Sequence, residues 1–92
     1  MELIINTRGA KLSKVDDRFQ VTYEGHKQEF SVKTVEKILI TTSALLTTDS
    51  LKLAVENNID VVFLEYNGQP YGRVWHSKLG SITTIRRKQL KL

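Results

Sequence analysis

Cysteine is absent from the 92 residues, which excludes a disulfide framework and a thiolate metal site. Folding must therefore rest on packing and backbone hydrogen bonds. No apolar run approaches the roughly 18 residues that a membrane span needs. The opening Met1-Glu2-Leu3-Ile4-Ile5-Asn6 lacks the basic start and long apolar stretch of a signal peptide, so a cytoplasmic location is expected. Proline occurs once, at Pro70, and there is no Gly-rich phosphate loop, since Gly68 and Gly72 flank a strand rather than open a helix. Repeats, low-complexity tracts and a Pro- or Gly-rich linker are missing as well. A chain of this length makes one domain, at the small end of what builds a core unaided.

Acid is missing from one part of the chain. Residues 1–65 carry all ten Asp and Glu with eight Lys or Arg, whereas residues 66–92 carry six basic residues and no acid. The net charge of +4 thus belongs to the C-terminal quarter. Arg73, Lys78, Arg86, Arg87, Lys88 and Lys91 suit a polyanion such as nucleic acid, or equally a solvated basic surface.

Catalytic patterns are also lacking. His26 falls in a predicted turn and His76 after a strand, and neither has a second histidine three or four residues away. Asp16-Asp17 are adjacent, which suits a turn and not a shared metal. None of the serines sits in the strained, glycine-flanked elbow of a hydrolase nucleophile. Residue chemistry alone assigns no catalytic residue and no metal ligand.

What is present is mostly strand signal. Ile59 to Val74 pairs an apolar, β-branched run, Val61 to Leu64, with the turn pair Asn67-Gly68. The run predicts a strand covered on both faces. With Asn67-Gly68 as a two-residue loop, Tyr66 faces Gln69 and Glu65 faces Pro70. Pro70 has no N–H to give a further neighbour, so Tyr71 to Val74 is expected to start an edge strand, a place where another chain can pair.

Earlier in the chain, Glu2 to Asn6 reads as a strand stopped at Arg8-Gly9, and Ala10 to Val15 as a second. Arg18 to Tyr23 alternates, placing Phe19, Val21 and Tyr23 on one face. Glu24-Gly25-His26 is a tight turn, and Lys27 to Val32 returns antiparallel. Val35 to Thr41, with Ile38 to Ile40 at its centre, is another buried strand, while Thr42 to Leu46 favours no one state. Thr47-Thr48-Asp49-Ser50 offers N-caps for a helix over about residues 48–57, with Leu51, Ala54 and Val55 as its apolar stripe and Asn57-Asn58 as its left-handed end. Ser81 to Arg87 reads as extended or as a helix start. The fold class expected is mainly β: an antiparallel β-sandwich or partly open β-roll with one short helix.

The run Thr42 to Leu51, followed by Asn58-Ile59-Asp60-Val61-Val62-Phe63-Leu64 and Asn67-Gly68, resembles the N-terminal domain of the CRISPR-associated endonuclease and integrase family, Cas1. Leu3-Ile4-Ile5, Gly9, Leu12, Phe19-Val21, Ile38-Leu39-Ile40 and the closing Arg86-Arg87-Lys88-Gln89 follow in that family's order. The resemblance covers essentially the whole chain, with its specificity in the order and spacing of the motifs. It departs at Ser31-Val32, where members often have a proline. The resemblance implies a β-sandwich dimerisation domain over residues 1–85, with residues 86–92 starting a linker to an all-helical catalytic domain. In that family the helical domain supplies a Glu, a His and an acidic residue that bind a divalent metal, Mg or Mn, to cut or join DNA, and the protein inserts CRISPR spacers with a small partner, Cas2. Those positions lie outside this sequence, so no catalysis or cofactor is expected of the fragment alone.

Two sets of residues follow. Arg73, Lys78, Arg86, Arg87 and Lys88 are expected to contact DNA phosphates, on charge alone. Tyr71, Val74 and Trp75 are expected at a homodimer interface. A different reading is a free-standing small β-barrel that stacks single-stranded nucleic acid on Tyr66, Tyr71 and Trp75 beside the basic segment, and a third is a purely structural adaptor.

Overall fold

The computed structural model describes residues 1–75. In chain order these residues form β1 (Glu2–Ile5), β2 (Lys11–Val15), β3 (Arg18–Tyr23), β4 (His26–Ser31), β5 (Lys37–Ile40), β6 (Leu45–Leu46), α1 (Thr48–Glu56), β7 (Asp60–Leu64) and β8 (Pro70–Val74). The strands build two four-stranded sheets. Sheet A has the order β1-β5-β7-β8 and sheet B the order β4-β3-β2-β6. The mainly β, two-sheet reading with one short helix holds.

Local chemistry makes the meander of sheet B. The β2–β3 connection is Asp16-Asp17, with Val15 opposite Arg18 and Asp16 at φ 54°. The β3–β4 connection is Glu24-Gly25, at φ 48° and 81°, the paired left-handed conformations whose twist matches that of the flanking strands. His26 therefore begins β4 opposite Tyr23 and is not part of the turn.

Antiparallel ladders supply most of the paired residues, as expected, but sheet A is mixed. β1–β5, β5–β7 and β2–β6 are parallel, while β2–β3, β3–β4 and β7–β8 are antiparallel. The chain leaves sheet A after β1, builds three strands of sheet B, and re-enters sheet A at β5 in its original direction. Crossovers of this kind produce parallel neighbours, and no local turn residue announces them.

The core lies between the sheets. Leu3, Ile5, Ile38, Ile40 and Val61 face inward from sheet A and meet Leu12 and Phe19 of sheet B. Helix α1 closes one end by adding Leu53 and Ala54. Its N-cap is Thr47, whose Oγ1 accepts from the Ser50 N–H at 3.2 Å, worth about 1 kcal/mol. At its other end Asn58 takes φ 58°, and the N–H groups of Asn58 and Ile59 donate to the carbonyls of Val55 and Ala54. Those two bonds are the Schellman arrangement, with asparagine in place of glycine. The buried stripe is Ser50, Leu53 and Ala54, not Leu51, Ala54 and Val55. Ser50 can be buried because its hydroxyl donates to the Thr47 carbonyl at 2.7 Å, which removes the cost of hiding a polar group.

The β7–β8 hairpin also differs from the two-residue loop expected. Gly68 alone takes a positive φ, 88°, and its N–H donates to the Glu65 carbonyl. A type I turn followed by a left-handed glycine is the three-residue solution. The Glu65 N–H donates to the Gln69 carbonyl, so Leu64, and not Glu65, faces Pro70. A register shift follows between Phe63 and Leu64, which leaves Tyr71 as the extra residue of a β-bulge. β8 is the edge of sheet A, as Pro70 implied.

Candidate dimer and nucleic-acid interface

The candidate residues divide according to the face of β8 they occupy. Val74 stands opposite Val61 and packs against the core, so its side chain is committed inward. Gly72 shares that face, and a Cβ there would come within 3.4 Å of the Phe63 ring. Tyr71 leans on Phe63, with ring centroids 6.1 Å apart, and remains 64% exposed. Its position in the bulge is what gives it that contact, since bulges re-aim side chains.

Arg73 and Trp75 take the opposite, outer face. Arg73 stands opposite Val62, and its guanidinium donates to Asp60 Oδ2 at 2.6 Å. The same guanidinium lies 4.9 Å from the centroid of the Trp75 ring, a cation–π contact. Of the expected DNA-contacting residues, Arg73 is thus already in an ion pair. Lys78, Arg86, Arg87 and Lys88 lie outside the described residues, as does His76.

The structure adds a surface that sequence reasoning missed. The outer face of sheet A carries Ile4, Leu39 and Val62 side by side, next to a row of Glu2, Lys37 and Asp60. Ile4 is 51% exposed, and Leu39 and Val62 are half-buried. The apolar runs at Ile38 to Ile40 and Val61 to Leu64 led to strands covered on both faces. Their inner residues are covered, but no described element covers the outer ones. The deciding signal is the parallel pairing, since parallel strands normally have both faces covered, and that pairing is not announced by any local residue pattern.

The three rings proposed as a stacking platform do not form one. Tyr71 packs on Phe63, Trp75 lies against Arg73, and Tyr66 projects from the hairpin at 96% exposure. Among the described residues no group of three or more His, Cys, Asp or Glu gathers to hold a metal ion. No helix among them is long and apolar enough to cross a membrane.

Comparison with known proteins agrees with this architecture. The chain is 38% identical over 56 residues, 61% of its length, to a CRISPR-associated endonuclease Cas1 of Archaeoglobus fulgidus, and the match covers 16% of that protein. It is 28% identical over 89 residues, 97% of its length, to the CRISPR-associated endonuclease Cas1 of Korarchaeum cryptofilum, covering 26% of it. The chain therefore spans about a quarter or less of the length of these relatives. A solved chain of a partial Cas6-RT-Cas1–Cas2 complex shares the fold, with a TM-score of 0.77 and 12% identity over 88% of this chain and 25% of that one. The model of the family described as CRISPR associated protein Cas1 matches residues 3–92, and the chain belongs to that family.

Proposed function

We propose that this chain is the N-terminal dimerisation and DNA-contacting domain of a CRISPR adaptation integrase, and that it is catalytically inert alone. The observation that carries the reading is membership of the Cas1 family by a chain matching only 26% of a relative whose name records endonuclease activity. Residues 1–85 form the domain and residues 86–92 begin the linker. The divalent metal, Mg or Mn, and the Cas2 partner belong to the whole protein, which acts in the cytoplasm. The likeness to a chain from a Cas1–Cas2 assembly supports the Cas2 partner.

The second copy covers the outer face of sheet A. Ile4, Leu39, Val62 and Trp75 supply its apolar part, and Tyr71 flanks it at the edge. Glu2, Lys37, Asp60 and Arg73 alternate in sign across the sheet, which suits a two-fold partner presenting the same row. Pro70 and the bulge withhold backbone bonds at β8, so the partner is held through side chains and not by strand pairing. DNA phosphates meet Lys78, Arg86, Arg87 and Lys88, and also Arg73 when it exchanges Asp60 for phosphate.

Light scattering is expected to show a dimer at concentrations on the order of tens of micromolar. A monomer there would count against an autonomous interface. The purified chain, mixed with duplex DNA and Mg²⁺ or Mn²⁺, is expected to bind without cutting or joining strands; specific cleavage or strand transfer would overturn the inert part. If all six basic residues of the C-terminal quarter engage phosphates, the log–log salt slope of binding approaches about −5. A slope near zero would show that the segment is only solvated.

A further inference from the structure

Sheet B ends at β4 on one side, and no described strand lies beyond it. Unlike β8, this edge has no proline and no bulge: His26 to Ser31 pairs with β3 residue by residue without a register shift. Its backbone alternation follows from the Glu24-Gly25 turn, whose left-handed pair closes on the hydrogen-bonded residues Tyr23 and His26. His26, Gln28 and Phe30 therefore direct their N–H and C=O groups to β3, and Lys27, Glu29 and Ser31 turn theirs outward. The Ser31 carbonyl is taken by the Thr34 N–H at 3.0 Å. The outward groups of Lys27 and Glu29 have no described backbone partner.

The side chains follow the same alternation. Lys27 and Glu29 stand opposite Thr22 and Gln20 on the outer face of sheet B, and both are exposed. Glu29 accepts from the Arg18 guanidinium through Oε1 at 3.3 Å, which leaves Oε2 for a second cation. On the inner face sheet A stops at β1 while sheet B reaches beyond it, so Phe30 is half-buried and His26 and Gln28 are exposed. Charged residues on an edge strand ordinarily oppose pairing. Here opposite signs two residues apart make the edge complementary to itself.

We propose that β4 pairs antiparallel with β4 of a second copy about a two-fold axis at Gln28, joining the two sheets B into one. In this register Lys27 stands opposite Glu29 of the second copy, and Glu29 opposite the second copy's Lys27. Both are hydrogen-bonded positions, so the free N–H and C=O groups and the charges are satisfied together. Gln28 faces Gln28, and each Phe30 is set against the other copy's His26. An axis at Lys27 or at Glu29 would set like charges face to face. An axis between residues would match an outward backbone group with an inward one. A foreign acidic or basic strand would attract one of the two charged residues and repel the other, so a second copy is the occupant that matches both. The contact lies on sheet B and depends neither on the dimer across the outer face of sheet A nor on DNA. A chain with both two-fold contacts assembles beyond the dimer.

Because the chain has no cysteine, Gln28→Cys supplies a single thiol per copy. It would sit at a non-hydrogen-bonded pair, where Cα atoms lie about 4.5 Å apart, within disulfide reach. In a glutathione redox buffer this variant is expected to form a disulfide-linked dimer about tenfold faster than Ser43→Cys, an exposed control beside β6 at the other end of sheet B. Added to Gln28→Cys, either Lys27→Glu or Glu29→Lys alone is expected to slow cross-linking about fivefold. Mixing the two is expected to restore it in the mixed disulfide, since each then meets the opposite charge at both positions. In the ¹⁵N-labelled unmodified chain, raising the concentration is expected to protect the amides of Lys27 and Glu29 from exchange and to leave those of Gln28 and Phe30 as they were. Equal cross-linking at positions 28 and 43, or no rescue on mixing, would overturn the proposal. So would protection confined to β1, β5 and β7, the signature of the sheet A face acting alone.

Discussion

The two edges of sheet A are built on opposite principles. At β8 the edge is blunted three times over: Pro70 has no N–H, the bulge at Tyr71 breaks the ladder, and Arg73 ties its charge to Asp60 across the strands. These are the devices by which proteins prevent unwanted strand pairing. At β1 none is present. Glu2-Leu3-Ile4-Ile5 is regular, apolar on both faces beyond Glu2, and open along its outer side. One sheet thus carries a protected edge and an unprotected one. The difference teaches that contact at β8 is made through faces, whereas β1 is suited to backbone pairing.

The comparison can be broken most severely beneath β1. Ile5 is 3% exposed and faces the core, so Ile5→Ala is expected to cost about 2–5 kcal/mol, read as a lower urea midpoint. Its neighbour Ile4 points outward, and Ile4→Ala is expected to change stability by less than about 0.5 kcal/mol. Equal losses at the two positions would mean that β1 does not alternate as described.

At β8 the expected effects are smaller. Gly72→Val adds bulk against the Phe63 ring, and overpacking of this kind is expected to cost about 1–3 kcal/mol in thermal or urea unfolding. A neutral result would show that Phe63 has room to retreat.

The smallest change is at the ion pair. Both partners are substantially exposed, at 51% for the Arg73 side chain and 29% for Asp60. Asp60→Asn is therefore expected to alter stability by less than about 1 kcal/mol. Arg73→Ala, which takes one of the six counted cations away, is expected to flatten the salt slope of DNA binding by about one unit. An unchanged slope would remove Arg73 from the phosphate-contacting set.

Much of this fold was legible because its signals are local. The alternation of Phe19, Val21 and Tyr23 predicted β3 with its ends correct, Asn57-Asn58 marked the left-handed end of α1, and Pro70 marked an edge strand. Local signals also misled where two solutions were close. Asn67-Gly68 suits a two-residue turn, but only Gly68 adopts a positive φ, and the longer loop moves Pro70 from Glu65 to Leu64. Leu51, read as a core residue of α1, packs against the core only partly buried, whereas Ser50 is fully buried because its hydroxyl is satisfied by Thr47. The candidate site was less legible. Val74, expected at an interface, packs against the core, and Arg73, expected to contact phosphate, is paired with Asp60, since neither neighbour is close in sequence.

By itself the sequence determined the mainly β class, the hairpins of sheet B, the caps of the helix and the family to which the chain belongs, because each depends on residues a few positions apart or on their order. Only the tertiary structure decided that β1, β5 and β7 run parallel, that no described element covers the Ile4–Leu39–Val62 face, and that β1 ends its sheet short of Tyr23. Those outcomes rest on partners such as Thr41 and Ile5, which bond from 36 positions apart. Pairing over such separations depends on how the crossovers pack, and residue order alone does not encode it in any short window.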